Sequence, residues 1–153
     1  MPPAQESSRA AQRIVSARWT PDLVSGGWTP VSDYFLDSYT KLTPPLSTSE
    51  AMLVIHLMRH KWDAAPPFPG FKTLARRMGV TATSVRNHAR ALEHKGYLRR
   101  VKRIGTTNYF ELTQLFVALE KLQAYEAGQR DGQQGKRPQE TKAAAVVDKE
   151  SPF

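Results

Sequence analysis

The sequence predicts a mainly α-helical fold with one small β-hairpin, and three observations indicate it. Apolar residues recur at helical spacing on both sides of Gly79. The apolar run from Ala51 to Met58 follows Ser47, which together with Glu50 has the Ser-x-x-Glu spacing of a capping box. Two short β-prone runs within residues 97–112 are joined by a Gly-containing turn. Helix, helix, turn, helix, hairpin, helix is the order of a winged helix-turn-helix domain.

The first part of the chain is predicted to contain an arm and a central helix. Residues 1–27 are rich in Ala, Ser, Arg and Gln and predict a flexible N-terminal arm with at most a short helix over residues 10–17. The aromatic segment that follows is predicted to be extended and to become helical from about Ser32. The capping box then begins a core helix over residues 48–61. Three prolines within residues 63–70 predict a loop, because proline lacks the backbone donor that a helix needs.

The strongest local pattern is a pair of short helices around Gly79. The first helix has one apolar face, made of Phe71, Leu74, Ala75 and Met78. Gly79 predicts a left-handed helix end, and Thr81 or Thr83 is suited to cap a second helix that runs to about Lys95 and closes at Gly96. The apolar stripe of this second helix consists of Val85, Ala89 and Leu92. Two helices joined by a short turn containing Gly predict a helix-turn-helix.

A hairpin and a last helix complete the predicted domain. The β-prone residues 97–102 and 107–112 flank a basic turn, which predicts a wing. A final helix to about Tyr125 carries an apolar stripe, and two interpretations stay open, packing against its own domain or homodimerisation through Leu115, Leu119 and Leu122. The ordered domain is predicted over residues 28–127, and the polar residues 128–153 are predicted to be a disordered tail.

The positive charge of the chain is concentrated in one segment. The protein has 22 Lys and Arg against 14 Asp and Glu, a formal net charge of +8. Residues 71–103 hold ten basic residues and one acidic residue, Glu93. This segment therefore carries the whole net charge of the chain, and both flanks are close to neutral. Because the cations alternate with apolar residues, the segment predicts a folded basic surface. Such a surface favours nucleic acid as the partner, ahead of an anionic membrane.

Composition and motifs exclude several classes of protein. The absence of cysteine excludes a disulfide scaffold, a thiol nucleophile and cysteine-based metal sites. The sequence shows neither a membrane-spanning apolar stretch nor a signal-peptide pattern, which predicts a cytoplasmic, nucleoid-associated protein without a membrane partner. His56 and His60 have a metal-ligand spacing but no third ligand nearby, so no metal is expected. Without a phosphate-binding loop, a carboxylate cluster or a Ser/His/Asp set, we expect no cofactor and no enzymatic activity.

A family resemblance is carried by residues 68–101, FPGFKTLARRMGVTATSVRNHARALEHKGYLRRV. This run resembles bacterial winged helix-turn-helix DNA-binding domains, including the DNA-binding part of GntR-type regulators. The matching positions are Phe68, Pro69, Leu74, Ala75, Gly79, Val80, Thr81, Val85, Arg86, Leu92, Glu93, Gly96 and Leu98. The upstream residues 27–62 are similar to the lead-in of phage and plasmid replication-initiator modules. GntR-type regulators normally continue into a large effector domain, and the few polar residues after Phe116 favour a stand-alone DNA-binding module instead.

In a winged-helix arrangement the second helix of the pair enters the major groove of DNA. Its outward positions are predicted to read bases, and they are Thr83, Ser84, Arg86, Asn87 and Arg90. DNA-backbone contacts are predicted for Lys72, Thr73, Arg76 and Arg77 on the preceding helix. The wing is predicted to reach the adjacent minor groove or phosphates through Lys102, Arg103, Gly105 and Thr106. Arg99 and Arg100 alternate along a strand, so at most one of them is expected to face DNA in this way.

The sequence therefore predicts a sequence-specific double-stranded DNA-binding protein. Its role is either that of a transcriptional regulator or that of a plasmid- or phage-type replication initiator. Two further partners are considered, namely a second copy of the chain and a recruited replication or transcription protein. The alternative is a protein-interaction adaptor that uses a winged helix without sequence-specific DNA binding.

Overall fold

The computed structural model describes residues 3–59, 70–102, 104–105 and 109–135. Its elements in chain order are the helices α1 (Pro3–Arg18), α2 (Pro21–Ser25), α3 (Asp33–Ser38), α4 (Thr48–Met58), α5 (Phe71–Met78) and α6 (Ala82–His94), the strands β1 (Arg99–Val101) and β2 (Tyr109–Glu111), and α7 (Thr113–Gln134). The chain divides into two units, Met1–Leu119 and Glu120–Phe153, with the boundary inside α7. The predicted fold class, mainly helical with a small antiparallel hairpin in winged helix-turn-helix order, is confirmed.

The core of the first unit is built from α4, α5, α6 and the start of α7. Its largest fully buried apolar side chains are Leu53, Val54, Leu74, Val85, Leu92 and Leu115. Helical spacing identified the buried faces of α5 and α6 correctly. Full burial of a Leu or Val side chain contributes about 1.5–3 kcal/mol relative to exposure. Burial of one side of α6 therefore holds this helix in place, while its other side stays exposed to solvent.

Helix α4 begins at the capping box that the sequence predicts. The Ser47 hydroxyl accepts a hydrogen bond from the Glu50 backbone N–H at 3.1 Å, and the Glu50 carboxylate accepts one from the Ser47 N–H at 3.1 Å. These bonds satisfy donors that the helix start would otherwise leave unpaired. Ser32 caps α3 in a related way by accepting from the Phe35 N–H, which confirms the predicted helical start there. The predicted loop over residues 63–70 lies outside the described residues except for Gly70.

The segment predicted as an N-terminal arm, residues 1–27, is more helical than expected. Helix α1 extends well beyond the short helix that the sequence suggested. Thr20 caps α2 by accepting a hydrogen bond from the Leu23 N–H at 3.2 Å. Pro21 occupies the start of that helix, where its missing donor costs nothing. The flexibility of the arm stays a prediction.

Helix α7 also continues further than the predicted end near Tyr125, and it includes the first residues of the predicted tail. Residues 128–153 were predicted to be disordered because they are polar and rich in Gly and Gln and offer little apolar area to bury. The structure nevertheless keeps the helix intact to Gln134. Glu126 and Arg130 are spaced i,i+4 with 4.0 Å between charged atoms, in the orientation that supports a helix. Residues 136–153, the rest of the predicted tail, lie outside the described residues.

Candidate nucleic-acid interface

The turn between α5 and α6 fixes how the two helices present their outer faces. Gly79 has φ 68° and ψ 31°, the left-handed conformation in which glycine is favoured, and the Val80 N–H donates to the Ala75 carbonyl at 3.0 Å. Thr81 then caps α6, because its hydroxyl accepts a hydrogen bond from the Ser84 N–H at 3.1 Å. Both ends of the turn were predicted, and of the two threonines considered as the cap, Thr81 fills the role.

Helix α6 has a buried and an exposed side. Val85, Ala89 and Leu92 are at most 1% exposed and form the predicted apolar stripe. The exposed side includes His94 near the helix end and four residues here called the recognition face, namely Thr83, Arg86, Asn87 and Arg90. Four of the five predicted base-reading residues thus lie together on one exposed surface. Ser84 is only half-exposed, and its hydroxyl lies 2.9 Å from the Thr81 hydroxyl, so it is held within the helix cap.

The predicted backbone-contacting residues lie on α5. Lys72, Arg76 and Arg77 are exposed, and Thr73 is half-buried. Helix α5 packs against α6 and also against α4. No acidic residue occurs on α5, and Glu93 near the end of α6 is the one acidic side chain of that helix.

Within the described part of residues 71–103, carboxylates engage the cations Lys95, Arg99 and Arg100. The Lys95 ammonium lies 2.8 Å from Glu50, the Arg99 guanidinium lies 2.9 Å from Glu111, and that of Arg100 lies 2.8 Å from Glu93. The sequence count of +9 therefore overstates the charge available to an anionic partner. Two of the acidic partners, Glu50 and Glu111, lie outside the segment, which is why counting within the segment missed them.

Aromatic stacking joins the recognition helix to the wing, which is defined here as β1, β2 and the residues between them. The guanidinium groups of Arg86 and Arg100 lie 5.8 Å and 5.2 Å from the centre of the Phe71 ring. Phe110 on β2 lies 6.0 Å from Phe71 and 5.9 Å from the Arg100 guanidinium. Cation–π contacts of this kind orient a guanidinium while leaving its donors available. The helical spacing of Phe71 indicated only a place on the apolar face of α5 and gave no signal of this second role.

The end of α6 is attached to the loop that precedes α4. The Lys95 ammonium donates to the Pro45 carbonyl at 2.8 Å, and the Tyr97 hydroxyl donates to the Pro44 carbonyl at 2.6 Å. Burial raises the pKa of Tyr97, so its hydroxyl keeps the donated proton. Burial also acts to raise the pKa of Glu50, but hydrogen bonds from Lys95 and Ser47 outweigh it and leave that pKa below its ordinary value. The Glu50 carboxylate is therefore ionised at neutral pH.

The wing is a short antiparallel pair in which Arg99 is opposite Glu111 and Arg100 is opposite Phe110. The two arginines have different partners on different faces, which agrees with the predicted alternation. Lys102 is exposed, and Gly105 has φ 75°, which suits a tight tip. Arg103 and Thr106, the other predicted wing contacts, lie outside the described residues.

The leucines at the start of the α7 stripe are buried within the first unit. Leu115 is fully buried and Leu119 is 8% exposed, while Leu122 is half-buried. Packing of Leu115 and Leu119 within their own domain explains why these two positions are apolar. Homodimerisation stays a prediction.

The histidine pair considered for a metal falls partly outside the described residues, since His60 lies in the gap after Arg59. Burial and the nearby cations Arg77 and Arg59 lower the pKa of His56. Among the described residues, no cluster of three or more His, Cys, Asp or Glu side chains has the geometry to hold a metal ion. In the same part of the chain, every helix is too short or too polar to cross a membrane.

The comparison with protein families agrees with this geometry. Residues 45–98 match the family model described as a helix-turn-helix domain. The match includes α4, the helix-turn-helix formed by α5 and α6, and the Tyr97 attachment, and it stops before β1. Phe68 and Pro69, which contributed to the sequence resemblance, lie within the matched range but outside the described residues. No curated protein matches the chain.

Proposed function

We propose that this protein binds double-stranded DNA in a sequence-specific manner and acts without catalysis. The observation that supports this most directly is the recognition face. Thr83, Arg86, Asn87 and Arg90 are all exposed on one side of a helix whose other side is buried. A helix with side chains is about 10–12 Å across, and the major groove of DNA is about 12 Å wide, so α6 has the size to enter it.

The residue types on the recognition face suit base edges. Arg86 and Arg90 each offer a planar pair of donors, which match the two acceptors that guanine presents in the major groove. Asn87 has the donor and acceptor pair that matches adenine. Thr83 is near the N-terminus of α6, where its hydroxyl and methyl group suit a phosphate or a thymine methyl.

The cations of α5 suit the phosphate backbone. Lys72, Arg76 and Arg77 are long, exposed side chains on the helix that precedes the recognition helix. In helix-turn-helix complexes the first helix crosses the DNA backbone while the second reads the groove. Phosphate contacts set the register of α6 without reading sequence themselves.

Phe71 gives the first testable prediction, because its ring touches Arg86. The substitution Phe71→Leu keeps an apolar side chain but removes the stacking, which is worth about 0.5–1 kcal/mol at exposed sites. We expect the ratio of affinities for a preferred duplex and a random duplex to fall by about threefold. Phe71→Tyr retains the ring and is the matched control. Unchanged discrimination in Phe71→Leu would contradict a positioning role for Phe71.

The biological role that we propose is either transcriptional regulation or initiation of plasmid- or phage-type replication, in association with the bacterial nucleoid. Both roles need a specific DNA site and a recruited protein. Selection of genomic fragments bound by the full chain separates them. Enrichment of promoter fragments supports a regulator, and enrichment of repeats at one origin supports an initiator. Recovery of fragments without any consensus would contradict sequence-specific binding.

A further inference from the structure

Arg100 on β1 is held against the helix-turn-helix by three contacts of its guanidinium. One guanidinium nitrogen lies 2.8 Å from a carboxylate oxygen of Glu93 on α6. The centres of the Phe71 and Phe110 rings lie 5.2 Å and 5.9 Å from the guanidinium carbon. The side chain is 26% exposed, so most of it is withdrawn from solvent. Arg100 therefore has a defined position between the wing, α5 and α6.

The hydrogen bonding of Arg100 is incomplete. Its Nε atom is buried and has no hydrogen-bond partner in the described part of the chain. A buried donor without a partner lowers stability, because it has lost its hydrogen bond to water. Replacing a largely buried ion pair by apolar side chains of similar size is often neutral or stabilising. Stability alone therefore does not require an arginine at position 100.

The ring that Arg100 contacts also supports an arginine of the recognition face. The Arg86 guanidinium lies 5.8 Å from the centre of the half-buried Phe71 ring. Arg86 is exposed, and no carboxylate of the described residues pairs with it. Glu93 follows Arg86 by about two helical turns, so both lie on the same face of α6. A path of contacts therefore leaves α6 at Glu93, crosses β1 and α5, and returns to α6 at Arg86.

We propose that Arg100 is a positioning residue for the base contact of Arg86. Its guanidinium fixes the Phe71 ring, and that ring limits the orientations open to the Arg86 guanidinium. Bidentate contact with guanine needs two donors of one guanidinium plane to meet O6 and N7 together. Fixing this plane before binding reduces the side-chain ordering that the contact would otherwise cost. The proposal rests on the proposed DNA-binding function and deepens it, because it gives β1 a part in base reading that acts through Phe71.

Glu93 contributes to the same arrangement through its charge. Without this carboxylate, two guanidinium groups would lie against one ring with no counter-charge beside them. Their repulsion would favour orientations in which the exposed one, Arg86, turns away into solvent. Loss of the Glu93 charge is therefore expected to act in the same direction as loss of the Arg100 guanidinium.

The experiment measures how strongly binding depends on the N7 atom of one guanine. Each guanine of a selected duplex is replaced in turn by 7-deazaguanine, which lacks the N7 acceptor, and binding of the full chain is measured by titration. The guanine that Arg86 reads is the one whose replacement weakens binding by the wild type but not by Arg86→Ala. Arg100→Met and Glu93→Gln are then titrated on the unmodified and the modified duplex.

The matched control is Arg99→Met, which removes the same charge from the neighbouring position of β1. The Arg99 side chain is 70% exposed and pairs with Glu111 instead of Glu93. A general loss of stability weakens binding to both duplexes alike, so the ratio of the two affinities separates positioning from folding. Urea unfolding of each variant shows whether it folds.

We expect loss of N7 to weaken wild-type binding about fivefold, because it removes one of the two hydrogen bonds of a bidentate contact. In Arg100→Met this factor should fall to about twofold, in line with the modest strength of one cation–π contact. Glu93→Gln should also lower the factor. Arg99→Met should keep the wild-type factor even where the lost charge lowers its overall affinity.

The factor measured for Arg100→Met decides the proposal if this variant folds, and that of Glu93→Gln decides it otherwise. An unchanged factor in the deciding variant, or an equal reduction in Arg99→Met, would overturn the positioning role alone. If the wild type binds no duplex, or if Arg86→Ala stays sensitive to every guanine, the proposed base reading fails and the positioning role fails with it.

Discussion

Replacing Arg86 and Arg90 together by alanine is expected to abolish most of the preference for a selected duplex over random DNA. A good bidentate contact from arginine to guanine is worth about 1–3 kcal/mol of discrimination. The two residues are spaced i,i+4 and therefore lie one above the other on α6. Removing both side chains leaves the α5 cations that we propose contact phosphates, so weak binding to any duplex should persist.

The structure supports this pair as readers of bases. Arg86 is oriented by the Phe71 ring at 5.8 Å, and among the described residues neither Arg86 nor Arg90 forms an ion pair with a carboxylate. By contrast, Arg99 and Arg100 are held by Glu111 and Glu93. The arginines of α6 thus retain their donors for a ligand, while those of β1 use some of theirs within the protein.

The matched control is Arg77→Ala on α5, which removes one positive charge outside the recognition face. It should weaken binding to selected and random duplexes by a similar factor, because phosphate contacts carry no sequence information. Competition titrations with the two duplexes at one salt concentration measure both effects. Equal losses on the two duplexes for Arg86→Ala, Arg90→Ala and Arg77→Ala would contradict the assigned roles.

The second large effect concerns the stability of the domain and the pair of Lys95 and Glu50. Lys95→Met should lower the free energy of unfolding by about 2–3 kcal/mol, because it leaves the Glu50 carboxylate, which is 5% exposed, without its counter-charge. The figure is below the roughly 3–5 kcal/mol expected when a fully buried pair is broken, because the Lys95 side chain is 22% exposed. The same substitution detaches α6 from the Pro45 carbonyl.

Adding Glu50→Gln to Lys95→Met should recover part of the loss, since the buried charge is then removed as well. The control is Arg99→Met, whose pair with Glu111 has a 70% exposed arginine and should contribute little. Urea unfolding of the single and double variants measures these differences. A loss in Lys95→Met no larger than in Arg99→Met would contradict the role of the pair.

The pH dependence of stability follows from the same pair. The folded-state pKa of Glu50 lies below its ordinary value of 4.5. Its contribution is therefore fully present above about pH 4.5 and is lost as the pH falls through the lower folded-state pKa. The unfolding free energy of Glu50→Gln should decline less steeply below pH 4.5 than that of the wild type.

Local patterns predicted much of the fold because local physics determines those parts. The capping box at Ser47, the left-handed end at Gly79 and the stripe from Val85 to Leu92 each depend on residues within a turn or two of one another. The polar composition after Gly128 predicted disorder, whereas α7 continues to Gln134, because extending a helix that has already formed is easier than starting one. The helical content of residues 1–27 was underestimated because this segment has few apolar residues. Thr20 and Pro21 are nevertheless a local signal for the start of α2, since threonine suits the cap and proline suits the first turn.

The candidate site was predictable in its cations but not in their partners. The recognition face follows from the period of the helix, so Arg86, Asn87 and Arg90 could be named from sequence. The pairing of Lys95 with Glu50 joins residues 45 positions apart, and the stacking of Arg100 on Phe71 and Phe110 joins three elements. No periodicity encodes such contacts. They decide which cations remain for a ligand and which stabilise the domain.

The dependence of affinity on salt tests the central claim, an electrostatic surface for DNA built on the helix-turn-helix and the wing. If about six cations meet phosphates, the logarithm of affinity should fall with the logarithm of salt concentration with a slope of about −5, as counterions are released. The measurement is a series of binding isotherms of the full chain on one duplex across salt concentrations. A slope near −5 is the predicted result, and a slope near zero would contradict the account.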